Sequence, residues 1–182
     1  MNWLWNFIRG MGVSITVSLG TGYKKMEKPQ SIWHPSPNFN DGRSKPVSCI
    51  VLHATATPGL ASPLAWLCNM ASKVSAHYLI DLDGTIYHLV LDENTAWHAG
   101  VSEWKGDPNV NHFSVGIELV NANDGKMPYP DAQVVACAGL VAYLMDEFDV
   151  KAEDVVRHAD IAPGRKNDPL GFDMGGFKRR LV

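Results

Sequence analysis

Apolar positions change their period several times along the chain, and each change predicts a different element. Val47 to His53 (VSCIVLH) is a short β-branched run, the pattern of a buried strand, and it gives way to a polar loop from His53 to Pro58. A residue at such a junction is held by the sheet yet reaches the surface. Pro63 to Met70 (PLAWLCNM) reads as a helix, with proline in the first turn and apolar positions recurring behind it. His77–Asp81 and Thr85–Val90 flank Asp83-Gly84, a hairpin signal that predicts an antiparallel pair. Ser114 to Val120 (SVGIELV) alternates as a further strand, in which Gly116 permits the close approach of a neighbour. Between Asp131 and Phe148, Val134, Ala138, Val141, Met145 and Phe148 recur at three or four residues, one face of the longest helix. Val155 to His158 returns to a strand, and a loop containing Pro163-Gly164 and Pro169 follows.

Strands interleaved with helices, without repeats or low-complexity tracts, predict an α/β fold: a single domain with a central mixed β-sheet flanked by helices. A chain of 182 residues fits one such domain. The stretch from Lys24 to Lys45 is rich in Pro, Ser, Asn and Gly and is expected to be an extended surface connection, with the folded core beginning after it. Met1 to Gly20 is apolar, with Trp3, Trp5, Phe7 and Ile8, but its one basic residue, Arg9, is followed by Gly10 and Gly12 and by no clear cleavage site. A packed arm, a signal peptide and an amphipathic membrane-surface segment all remain open for it. Residues 1–30 are therefore set apart as an N-terminal extension from a functional domain at 31–182.

Composition narrows the partners. Charges of both signs are interspersed and the net charge is −3, which gives no electrostatic reason to expect nucleic acid or anionic lipid. No run approaches the roughly 20 apolar residues of a membrane-crossing helix, so no transmembrane segment is expected. The three cysteines, Cys49, Cys68 and Cys137, are odd in number and widely spaced, which suits unpaired thiols buried as small apolar residues.

The clearest chemistry is His158 with Asp168 in HADIAPGRKND, set against His53 far upstream in VLHAT. Nitrogen and carboxylate ligands suit zinc, and a catalytic zinc keeps three protein ligands and one open position. Spacing alone does not favour a metal site, because exposed or capping His and Asp are common. Glu118, read alone, is an outward-facing carboxylate on a half-exposed strand, and Lys166 a solvated loop charge.

Several motifs in order change that balance: SPNFNDGR with IVLHATA, then SAHYLIDLDGTIYHLV, TAWHAG, NHFSVGIELVN and RHADIAPGRKNDP. From about Ser31 to Asp173 the chain resembles the zinc-dependent N-acetylmuramoyl-L-alanine amidases, the type 2 amidase family that includes phage lysozyme-type amidases, anhydro-muropeptide amidases and peptidoglycan recognition proteins. The resemblance implies a zinc ion at one end of the sheet, held by His53, His158 and Asp168. It implies Glu118 as general base, Lys166 as the cation beside the developing oxyanion, and a substrate groove lined by His98 and Trp97. Some relatives carry Cys where Asp168 stands, so the chain is similar to the Asp-ligand branch, and no cysteine needs a metal role. Phage-type relatives carry a catalytic Tyr where this chain has Ala76, which leaves Glu118 as the acid/base group. His77 is expected to pack, and Arg165 has no assigned role.

The implied reaction is hydrolysis of the amide between N-acetylmuramic acid and L-alanine in peptidoglycan or its fragments, by a monomer. The alternative is a peptidoglycan-binding module of the same fold that has lost catalysis. The setting stays open among a phage endolysin, an envelope remodelling enzyme and a cytoplasmic recycling enzyme.

Overall fold

The computed structural model describes residues 25–181. Along the chain run β1 (Ile32–Trp33), β2 (Phe39–Asn40), β3 (Cys49–Ala54), helix α1 (Ala61–Leu67), β4 (Tyr78–Ile80), β5 (Ile86–His88) and β6 (Thr95–Ala96). After these come β7 (Glu103–Trp104), β8 (Asp107–Pro108), β9 (Ser114–Leu119), helix α2 (Asp131–Phe148), β10 (Val155–Arg157) and the short helices α3 (His158–Ile161) and α4 (Met174–Lys178). Six strands form one mixed sheet in the order β1-β5-β4-β9-β3-β10, while β2 pairs with β6 and β7 with β8 in two small ribbons. The β4–β5 hairpin is antiparallel, as Asp83-Gly84 predicts, and every other pairing in the main sheet is parallel.

Register sorts the side chains of the two central strands. Ile50 lies opposite Val115, Leu52 opposite Ile117 and Ala54 opposite Leu119; between them Cys49 faces Ser114, Val51 faces Gly116 and His53 faces Glu118. Side chains alternate across a strand, so the first set shares one face and the second set the other. The first face packs on α2 through Cys137, Leu140, Val141 and Leu144. The second carries Cys49 and Val51 against Ala99, Phe113 and Ile161, and it is the face that His53 and Glu118 share.

Helix α2 has the bounds that its period predicts, but its buried stripe is turned by about one residue. Cys137, Leu140, Val141 and Leu144 are buried together with Gln133, whereas Val134, Ala138, Met145 and Phe148 flank the core only partly buried. Gln133 explains the shift: its Nε2 donates to the carbonyls of Ile80 and Val120 at 3.0 Å each, so a polar residue is drawn to the sheet. Helix α1 starts at Ala61, ahead of the expected Pro63, and still keeps that proline in its first turn.

The Pro- and Asn-rich segment before Val47 is more than a surface connection. Within it β1 pairs with β5 as an edge of the main sheet, and Ser36 and Asn38 are buried. Their side chains donate to backbone carbonyls of the α1 region, Ser36 Oγ to Leu67 and Asn38 Nδ2 to Asn69 and Val74, so hydrogen bonds hold a segment that is poor in apolar residues. Ahead of it, Lys25 pairs with Glu147, the Met26 amide donates to Asp146, and Lys28 pairs with Asp92. The readings offered for Met1 to Gly20 lie outside the described residues. Cys49 and Cys137 are buried as expected; Cys68 is only half-buried, with its thiol 3.7 Å from the His34 carbonyl. Among the described residues no helix is long and apolar enough to cross a membrane.

Candidate metal centre and groove

Parallel strands β3, β9 and β10 end on the same side, and open α/β sheets form their sites at such carboxyl ends. His53 is the penultimate residue of β3, Glu118 the penultimate residue of β9, and His158 follows β10 directly. Arg157 and Asp160 close the turn that carries His158: the Arg157 amide donates to Asp160 Oδ2 at 2.9 Å, and its guanidinium to Oδ1 at 2.6 Å. Asp168 returns from the following loop, where its carbonyl accepts from the Ala159 amide at 3.0 Å. Asn123 fastens the same loop by accepting from the Leu170 amide and donating to Asn167.

One atom from each of His53, His158 and Asp168 lies within 4.8 Å of the other two, and all three residues are buried. His53 Nδ1 and His158 Nδ1 are 2.9 Å apart, and Asp168 Oδ2 is 3.1 Å from the second and 3.6 Å from the first. His158 Nε2 sits 3.2 Å from the Ala99 carbonyl oxygen, which can only accept, so the neutral ring keeps its proton there and turns a bare Nδ1 to the cluster. Burial pushes His53 down to about 4, so that ring resists a second proton. The Ala54 amide donates to Asp168 Oδ2 at 3.4 Å, a bond that favours the ionised carboxylate. Electron-rich atoms crowded this closely with a carboxylate fit a borderline divalent cation bound by two nitrogens and one oxygen.

Above the cluster opens a groove of about 440 Å³ whose lining includes Trp66, Trp97, His98, Glu118, Lys166 and Asp168. Glu118 Oε2 is shielded from solvent and has no hydrogen-bond partner among the described residues. Burial, with Asp168 adding to it, raises the Glu118 pKa to about 8, against the pull of Lys166. Lys166 is exposed on the groove rim. Trp97 is half-buried and its indole Nε1 donates to Asn40. His98 is buried, and the structure engages both of its ring nitrogens with protein atoms.

Two residues escaped the sequence reading, Trp66 on the groove and Arg165 beside it. Trp66 lies in a run that reads as core helix, yet Pro63 and Leu67 take the buried side of α1 and leave Trp66 58% exposed on the groove. Arg165 clamps the loop after Trp97: its guanidinium donates to the carbonyls of Ala99 at 2.6 Å and Val101 at 2.7 Å. That clamp fixes the carbonyl that orients His158. Nothing local marks either residue: Trp66 stands three residues after Pro63, a spacing that helical geometry reads as one face.

The model of the family described as N-acetylmuramoyl-L-alanine amidase matches residues 43–171. The chain is 37% identical over 137 residues to the N-acetylmuramoyl-L-alanine amidase AmiD of Escherichia coli, which covers 68% of this chain and 49% of that one. It is 42% identical over 107 residues to the 1,6-anhydro-N-acetylmuramyl-L-alanine amidase AmpD of the same organism, covering 58% and 57%. The chain thus spans about half the length of the curated relatives it matches. A crystal structure of an AmpD derivative superposes with a TM-score of 0.74 at 28% identity, covering 87% of this chain and 98% of that one. The E. coli AmiD complex with the substrate anhydro-N-acetylmuramic acid-L-Ala-D-γ-Glu-L-Lys superposes at 0.70 and 34% identity, covering 75% and 58%.

Proposed function

Because this chain belongs to the N-acetylmuramoyl-L-alanine amidase family, we propose that it is a zinc hydrolase that cuts the amide between N-acetylmuramic acid and L-alanine in peptidoglycan or its muropeptide fragments. The observation that carries the reading is the buried His53, His158 and Asp168 cluster at the floor of a groove whose wall holds Glu118, with its Oε2 shielded and without a hydrogen-bond partner among the described residues. We assign the catalytic unit to residues 31–182 and the three cluster residues to the zinc.

When bound, zinc supplies Lewis acidity toward water and toward the lactyl carbonyl oxygen. Glu118 holds the attacking water by its carboxylate, accepts its proton, and returns a proton to the departing amine of L-alanine. Burial raises the Glu118 pKa to about 8, which suits a carboxyl that must both accept and return a proton near neutral pH. Lys166 extends its ammonium toward the oxyanion that forms after attack. Trp97 and Trp66 offer flat apolar walls to the sugar and the peptide stem.

A binding-only module of this fold is the weaker reading. Recognition of a glycopeptide requires a shaped groove, but it does not require a carboxylate on the groove wall beside a cluster of two histidines and an aspartate. Chelation tests the proposal: removing zinc should abolish muropeptide cleavage while circular dichroism stays native, and zinc should restore it. Full cleavage by metal-free protein, or unfolding on chelation with no activity at any metal loading, would exclude a catalytic zinc.

A further inference from the structure

A hydrogen-bond chain beneath the candidate zinc site assigns the position of each proton along it. Ser114 Oγ lies 2.6 Å from the Val110 carbonyl oxygen, which can only accept, so the one hydroxyl proton of Ser114 is committed there. His98 Nε2 lies 3.1 Å from the same Oγ and must therefore donate to it. The neutral His98 ring then has a bare Nδ1, which at 3.0 Å accepts from His53 Nε2. With its proton on Nε2, neutral His53 turns a bare Nδ1 toward His158 and Asp168.

Packing holds the relay in place independently of these bonds. A Cβ on Gly116 would stand 2.4 Å from His98 Cγ and 2.6 Å from its Nδ1, so the imidazole rests directly on the bare backbone of β9. Ser114, Gly116 and Glu118 are successive residues on one face of that strand, and they serve in turn as acceptor, ring seat and groove carboxylate. Asn111 Oδ1 accepts from the amides of His98 and Ala99 and fixes the backbone that bears the ring.

We propose that His98 is a positioning residue for the metal rather than a substrate contact: with Ser114 it fixes the tautomer and orientation of His53 so that Nδ1 faces the ion. The inference rests on the reading of His53 as a zinc ligand. Partners that orient a ligating imidazole typically change metal affinity by about 10- to 100-fold when they are removed.

The experiment measures zinc affinity by chelator competition, together with the visible spectrum of the cobalt-substituted protein, in wild type, His98→Leu, His98→Asn and Ser114→Ala. His98→Leu should weaken zinc about 10- to 100-fold and alter the cobalt spectrum. His98→Asn, whose Oδ1 can replace Nδ1 as the acceptor for His53, should recover most of the affinity. Ser114→Ala keeps the ring and loses only the group that commits its proton, so it should weaken zinc by a smaller factor, and it tests the relay even if His98→Leu does not fold. Native affinity and spectrum in both His98→Leu and Ser114→Ala, equal losses in His98→Leu and His98→Asn, or a raised KM with zinc binding intact would overturn the inference. A wild type that binds no zinc would overturn the metal reading first, and this inference with it.

Discussion

At the scale of single residues, Glu118 and Lys166 are separated from the cluster by what each should lose on substitution. Glu118→Gln keeps the size and much of the hydrogen bonding but removes the proton acceptor, so zinc content should stay native while turnover falls about 10²- to 10⁴-fold. Loss of zinc in that variant, read by metal analysis, would make Glu118 a ligand. Lys166→Met keeps an apolar stem without the charge. Since the oxyanion exists only after attack, kcat should drop about 10²- to 10³-fold with KM nearly unchanged, and steady-state kinetics separate this from a lysine that merely attracts substrate, which would raise KM alone. His53, His158 and Asp168 were legible because each stands in a motif at a strand end or on the loop behind one. Trp66 and Arg165 were not: one is hidden in an apolar run, and the other acts on backbone carbonyls that sequence spacing does not reveal.

At the scale of elements, β9 shows how a strand pattern encodes more than burial. Gly116 reads as a position of close approach, and the structure identifies the neighbour as the His98 ring. Gly116→Ala would force that ring or the strand to move, an overpacking that costs about 1–3 kcal/mol. Urea unfolding should give a lower midpoint, corresponding to a stability loss of about 1–3 kcal/mol; an unchanged midpoint would mean that the ring is not seated there. The bounds of α2 were legible from its period, because 18 residues sample that period many times over. Its rotation was not, because Gln133 counts as polar in any periodicity yet is buried by two backbone carbonyls. Strand β1 was hidden for a related reason: two residues carry no period, and the segment around it is held by Ser36 and Asn38 rather than by apolar contacts.

At the scale of the whole molecule, Asp92 ties distant parts of the chain together and should govern acid stability apart from the groove. Burial acts to raise its pKa, but His88 at 3.6 Å and hydrogen bonds from Lys28 at 2.8 Å and the Tyr78 hydroxyl at 2.6 Å outweigh it and hold the carboxyl well below its ordinary range. A folded pKa below the unfolded value, about 3.9, contributes stability above that value and loses it as pH falls through the folded one. Asp92→Asn should therefore lower Tm at pH 7 and show a flatter decline than wild type between about pH 4 and pH 2; parallel curves would show that Asp92 carries no such linkage. The central claim concerns the bond that is cut, and product chemistry decides it. Purified peptidoglycan digested by the zinc-loaded protein should release new L-alanine amino termini and no new reducing sugar ends, and the same digest with Glu118→Gln should release almost none. Reducing ends in place of amino termini, or amino termini undiminished by Glu118→Gln, would contradict the account.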